Sequence, residues 1–280
     1  MTNICRCAYA SSELTCFSTA KRYAALYGVK GPLLTGNSKL DKRTQRSQGY
    51  RIKGLSLAPG NLSGHEMCPM RTVDCTKACI GTTSGHNRYP QQKMAKINKT
   101  KFLVDDPICF FVMLRKELSN LVKYCDKHHL VPAVRLNTYS DVCWEMFARE
   151  LFEEYSEIQF YDYTKISKRG PLHSDDWPEN YSLTLSYTGY NWAECVRWLE
   201  GGLNVAVVMK DIWDQPLPET WRGYEVVSGD EDDCRWLDYG DGSGKIVALK
   251  IKGGIKDAGP FLADRVELTV SGYPPVGATQ

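Results

Sequence analysis

Apolar residues in this chain fall into two kinds of pattern, short continuous runs and helical stripes, and from residue 131 onward the two alternate. Runs at 131–137, 158–162, 181–186, 203–209, 224–228 and 245–251 read as strands, and an earlier run at 54–58 is ended by Pro59. The run at 203–209 is the most apolar, as expected of a strand covered on both faces. Helical spacing recurs at 18–27, 91–102, 107–129, 143–154 and 192–199. In the third of these, Phe110, Phe111, Leu114, Leu118, Leu121 and Val122 form one buried stripe. The pattern predicts a (β/α) barrel, complete or partial, of about seven mostly parallel strands, with a cysteine-rich loop after the first strand. A doubly wound open sheet is the rival fold. The expected organisation is a basic, cysteine-containing segment at 1–53, a barrel at 54–265 with a cluster loop at 59–89, and a tail at 266–280. Residues 31–53 read as a polar loop or arm too poor in apolar residues to build core.

Composition narrows the class. With 42% hydrophobic and 24% charged residues in 280, the chain has the balance of a soluble globular protein. No apolar run approaches the roughly 18–20 residues of a membrane span. Arg6, Glu13, Lys21 and Arg22 interrupt any export signal, so a cytoplasmic setting is expected. Eleven cysteines there read as reduced thiols and metal ligands, not disulfides. The net charge of +2 conceals an asymmetry: residues 1–100 hold 16 Lys and Arg against 4 Asp and Glu. Basic residues at 39–53 and lysines 93, 96, 99 and 101 are therefore candidates for contact with nucleic acid. The alternative is that the two regions neutralise each other in the fold.

Three thiols lie within twelve residues, Cys68, Cys75 and Cys79, with six and then three residues between them. Thiolates are soft ligands, and short spacing lets one loop wrap a single metal group. Structural zinc closes a four-ligand shell, commonly from two pairs, whereas three thiolates suit a [4Fe–4S] cluster with one iron open. Cys5 and Cys7 would supply a fourth ligand or a second site, or are plain small apolar residues. Cys16 carries no assigned role, and His86 is a fourth ligand or a surface residue.

Strand after strand ends in polar residues: Arg135, Asn137, Ser140 and Asp141, then Tyr161, Asp162 and Lys165, then Asp230 and Asp233, then Lys250. Chemistry in such folds sits where strands end, so these residues are expected to line a pocket for a small polar or anionic ligand facing the cysteine loop. The acidic stretch at 228–238 lacks the alternation of a calcium loop. Its carboxylates suit hydrogen bonds to a ligand, or to Arg135 or Lys250 across the mouth. No Walker, Gly-x-Ser-x-Gly or His-Glu-x-x-His motif occurs, which counts against conventional hydrolases and nucleotidases.

The cysteine loop following an early strand resembles the radical S-adenosylmethionine enzymes, although those space their cysteines by three and two residues and follow with Gly-Gly-Glu. A closer resemblance is to the gene-product-88-like proteins of bacteriophages and plasmids. It is carried by 34–39, 55–59, Cys68 through Cys79, 134–137 with Ser140-Asp141 and Trp144-Glu145, 160–165 and 229–233. The resemblance implies a phage origin and a metal more than an activity. The expectation is an iron–sulfur barrel protein, a radical S-adenosylmethionine-like or redox enzyme acting on a small polar or nucleotide-like ligand, with S-adenosylmethionine as a candidate cofactor. The alternative is a non-enzymatic phage protein, binding nucleic acid or a host protein, whose cluster or zinc is structural.

Overall fold

The computed structural model describes residues 16–265, apart from 38, 42–43, 211, 240–241 and 253–257. Cys5, Cys7, Lys42, Arg43 and the tail at 266–280 lie outside the described residues. Ten strands make one mostly parallel sheet. In chain order they are β1 (Leu34–Thr35), β2 (Tyr50–Leu55), β3 (Val131–Arg135), β4 (Gln159–Thr164), β5 (Tyr181–Ser186), β6 (Val205–Met209), β7 (Thr220–Trp221), β8 (Tyr224–Ser228), β9 (Ile246–Lys250) and β10 (Leu262–Ala263). All seven strands expected from the sequence are present, the first shifted to begin at Tyr50.

The spatial order is β1-β2-β3-β4-β5-β6-β9-β8-β7, with β10 joined to β6. From β2 through β8 every neighbour on this path is parallel. One edge of β6 is shared: β5 pairs with Val205 and Ala206, and β10 with Val208 and Met209. The sheet is open, so of the expected barrel, complete or partial, the complete form is not adopted. Closure would need β2 to meet β8, but antiparallel β1 and β7 already occupy those two edges.

The sheet is nonetheless strongly curved. One face carries the main core and is covered by α1 (Phe17–Leu26), α4 (Pro90–Asp105), α5 (Pro107–His128) and α8 (Trp192–Glu200). The short helices α2 (Val73–Lys77) and α3 (Ile80–Thr83) lie in the cysteine loop, and α6 (Trp144–Phe147) and α7 (Glu150–Glu154) follow β3. The expected single helix at 143–154 is thus broken at Ala148, where the backbone leaves helical geometry and both halves turn apolar side chains inward. On α5 the predicted stripe is buried except for the half-buried Val122, Asp106 caps Cys109 N–H, and His129 ends the helix in the left-handed region.

The opposite, concave face is filled by the segment 229–239 folding back across it. Cys234, Trp236 and Leu237 pack with Leu40, Ile52, Ala133 and Tyr161, and Tyr163 packs with Ala206 and Val247. Strands β3 and β8 stand five positions apart, roughly 24 Å in a flat sheet. Arg135 at the end of β3 still reaches Asp233, five residues beyond β8, at 3.2 Å. Curvature and the inserted segment together close that gap. Residues 31–53 are no arm: they supply β1, most of β2, and the buried Leu33, Leu34, Leu40 and Ile52. Few apolar residues suffice there because each is placed against sheet or helix.

Candidate functional site

The parallel strands point their C-terminal ends at a cavity of about 340 Å³, walled on one side by the cysteine loop. Cys68, Cys75 and Cys79 all line it. Cys68 Sγ accepts from Gly60 N–H at 3.3 Å and donates to the Tyr139 carbonyl at 3.5 Å. Cys75 lies on α2, whose N-cap Thr72 accepts from Cys75 N–H at 3.0 Å, and Cys79 is the N-cap of α3. Glu66 holds Arg71 at 3.0 Å, and Arg71 reaches Thr76 at 3.0 Å, bracing the turn between the first two cysteines. A side chain at Gly81 would set its Cβ 3.0 Å from Tyr139 and 3.1 Å from Pro59, so glycine lets the loop close on the strand ends.

Of the residues predicted from the strand ends, Arg135, Asn137, Ser140, Asp141, Lys165 and Lys250 line the same cavity. Tyr161, Asp162, Asp230 and Asp233 do not; they stand behind the wall and hold it. Asp233 is buried, accepts from Tyr161 O–H at 2.7 Å, and pairs with Lys39 at 2.9 Å and Arg135 at 3.2 Å. Asp230 accepts from Lys250 N–H at 2.6 Å and pairs with Lys252 at 2.8 Å. Thus the acidic stretch meets the Arg135 side chain, as the sequence suggested, but Lys250 only through its backbone N–H. Asn137 is saturated: it donates to Asp162 and the Val142 carbonyl and accepts from Ser140, Val142 and Trp144.

Behind Asp141 runs a network that sequence reading missed. Arg169, itself buried, binds Asp141 at 3.2 Å and Glu145 at 2.7 Å, and donates to Tyr181 O–H, which donates on to Asp162 at 2.9 Å. Lys39 and Tyr163 are further lining residues not anticipated as such. The sequence signal for Lys39 is its place at the end of the 34–39 stretch that carries the family resemblance.

Electrostatics divide the site. Burial pushes the Cys68 thiol up to about 12 and raises Cys79 as well. Burial likewise lifts Asp162 to about 7 despite the Asn137 N–H it accepts. Burial opposes the Asp233 charge, yet Lys39 and Arg135 hold its carboxyl well below the usual range. Burial alone would lower the Lys165 pKa, but the surrounding Cys75, Asp141, Cys68 and Cys79 raise it, so the side chain stays an ammonium ion. Its backbone N–H donates to Asp141 Oδ2 at 2.7 Å. Among the described residues, Lys165 Nζ has no hydrogen-bond or ion-pair partner.

The other expected basic contacts are largely spoken for. Lys39 pairs with Asp233, and Arg46 with Asp232 and Asp238 at 2.7 Å. Lys96 and Lys99 are buried on Asn87 and the Leu33 carbonyl. Lys101 is exposed, and so is His86, which does not line the cavity.

Among the described residues, no three His, Cys, Asp or Glu side chains converge tightly enough to hold a single metal ion. One tetrahedral zinc would draw its sulfurs to about 3.8 Å, given Zn–S bonds of about 2.3 Å. A cluster meets each thiolate at a separate corner and so tolerates wider spacing. Cys68, Cys75 and Cys79 line one cavity and are the side chains that would hold such a group. A protein-family model described as gene product 88 matches residues 32–263. The chain belongs to the gene product 88 family. The match takes in every strand from β1 to β10 and all three lining cysteines. No curated protein and no solved structure gives a match, and the likeness to radical S-adenosylmethionine enzymes gains no support. No described helix is long and apolar enough to cross a membrane.

Proposed function

We propose that this gene product 88 protein holds an iron–sulfur cluster on Cys68, Cys75 and Cys79, and binds a small anionic or nucleotide-like ligand beside it. The observation that carries the reading is convergence: three thiols and an unpartnered ammonium face one cavity at the ends of parallel strands. A cluster with an open iron supplies one-electron chemistry and a position for substrate. The protein's own part is to bind and orient. Lys250 and Lys165 present positive charge to a ligand, while Leu249, Ile251, Val208 and Phe261 give it an apolar wall. Asp233 and Asp230 fix the neighbouring cations in place, so the floor of the pocket is preorganised.

Metal and sulfide analysis of anaerobically purified protein tests this reading. About four irons and four sulfides per chain, with a broad visible band, is the expected result. Cys75→Ser should lose the iron, and Cys195→Ser, a buried thiol on α8 away from the cavity, should keep it. Equal iron in both variants would overturn the assignment. S-adenosylmethionine titration would then decide whether that molecule is the ligand. One zinc and a colourless solution would favour instead a structural site in a protein that binds nucleic acid or a host protein.

A further inference from the structure

The cavity's cations are not alike. Lys39 and Arg135 share Asp233, Lys252 has Asp230, and Arg71 has Glu66. Lys250 sits 5.1 Å above the Trp213 ring. Among the described residues that line the cavity, Lys165 is the half-buried cation whose Nζ has no hydrogen-bond, ion-pair or ring partner. An unpaired ammonium with restricted access to water is costly, and folds keep one where something anionic will meet it.

Its placement is fixed by backbone bonds that run straight to the cysteine loop. Asp141 Oδ2 takes Lys165 N–H at 2.7 Å, and Asp141 N–H donates to the Met67 carbonyl at 2.7 Å, one residue before Cys68. Cys68 Sγ in turn leans on the Tyr139 carbonyl, two residues before Asp141. Asp141 adds a nearby negative charge, but shares it with Arg169, which takes its other oxygen at 3.2 Å. The lysine thus emerges from the end of β4 on the side where the three thiols lie, with its own neighbours already committed.

We propose that Lys165 is the built-in counter-charge of the thiolate-bound group, and that it sets that group's reduction potential. This rests on the iron–sulfur reading given above. Three thiolates and a cluster form a net anion, and reduction adds one more negative charge beside the ammonium. A fixed positive charge in a poorly solvated cavity stabilises the reduced state more than the oxidised one, so it raises the potential. Lys165 is here a positioning charge; it need not touch substrate.

The test is a redox titration, followed by visible and electron paramagnetic resonance spectra, of wild type, Lys165→Met, Lys165→Arg and Lys168→Met. Lys168 is an exposed control three residues on. With iron and sulfide content retained, Lys165→Met should become harder to reduce, with the reduced-to-oxidised ratio at a fixed potential falling about tenfold, equivalent to 59 mV for one electron. Lys165→Arg and Lys168→Met should stay near wild type. If Lys165→Met instead loses its iron while Lys165→Arg keeps it, and the metal-free forms unfold alike, the counter-charge role is upheld. Full cluster content with an unchanged potential in Lys165→Met would overturn the inference and leave the iron–sulfur reading standing, as would iron loss in both Lys165 variants. No iron in wild type would remove that reading and this inference together.

Discussion

Two groups of charges stand around the cavity of this molecule, and they differ in one respect. Beneath the cavity, Lys39, Arg46, Arg135 and Arg235 interleave with Asp232, Asp233 and Asp238, so each cation meets a carboxylate. At the cavity wall, Lys165 shares the cavity with three thiols and makes no ion pair, the nearby Asp141 carboxylate being paired to Arg169. The first group is a scaffold: every cation in it has a carboxylate partner, and these pairs tie the segment 229–239 to the concave face. Lys165 makes no such pair, and a half-buried charge left without one marks a candidate site. Residue type does not distinguish the two; pairing does.

The sharpest way to break the comparison is to unbalance the scaffold. Asp233→Ala strands Lys39 and Arg135 in the interior, and should cost about 3–5 kcal/mol in urea unfolding. A loss below about 1 kcal/mol would mean that the scaffold charges are no better matched than Lys165. The pH profile of stability offers a second test. Asp232, opposed by burial but held down to about 2 chiefly by Arg46, contributes stability above its unfolded pKa near 3.8 that is lost as pH falls through 2. Asp162 has the opposite sign. Burial raises it to about 7, so the native state binds the extra proton between about pH 4 and 7, and stability declines as pH rises across that window. Thermal melts from pH 4 to 7 should show this decline in wild type and a flatter line in Asp162→Asn; identical slopes would reject it.

Smaller effects lie in the cysteine loop. Thr72→Ala removes the cap of α2 and should cost about 1 kcal/mol, read by thermal melts, while lowering metal retention under chelator more than a remote substitution does. The smallest change should come from Lys165→Met in the metal-free protein. Since it breaks no ion pair, stability should hold within about 0.5 kcal/mol or rise, in contrast to Asp233→Ala. A loss of several kcal/mol there would show that Lys165 has a structural partner after all.

Strand existence was legible in the sequence because apolar runs such as 203–209 and 245–251 are dictated by two-sided burial, a local demand on composition. The short strands were not: Leu34–Thr35, Thr220–Trp221 and Leu262–Ala263 are two residues each and leave no periodic trace. They decided the architecture, since β1 and β7 cap the edges that a barrel would have joined. Six of the ten strand-end residues singled out from sequence do line the cavity, because strand ends converge in any parallel sheet. Asp162 fell behind it because side chains alternate along β4, whereas Tyr161 shares the face of Tyr163 but lies deeper, covered by Cys234 and Trp236.

The sequence by itself determined the alternating elements, the three neighbouring thiols and the run of polar strand exits. Each is a short-range property, written in residue types and spacings of a few positions. Only the tertiary structure decided which charges cancel: Lys39 finds Asp233 and Arg46 finds Asp232 across nearly two hundred residues, while Lys165 finds none. Pairing depends on distance through space, and folding the 229–239 segment across the concave face is what brings those carboxylates to some cations and leaves another exposed to the thiols.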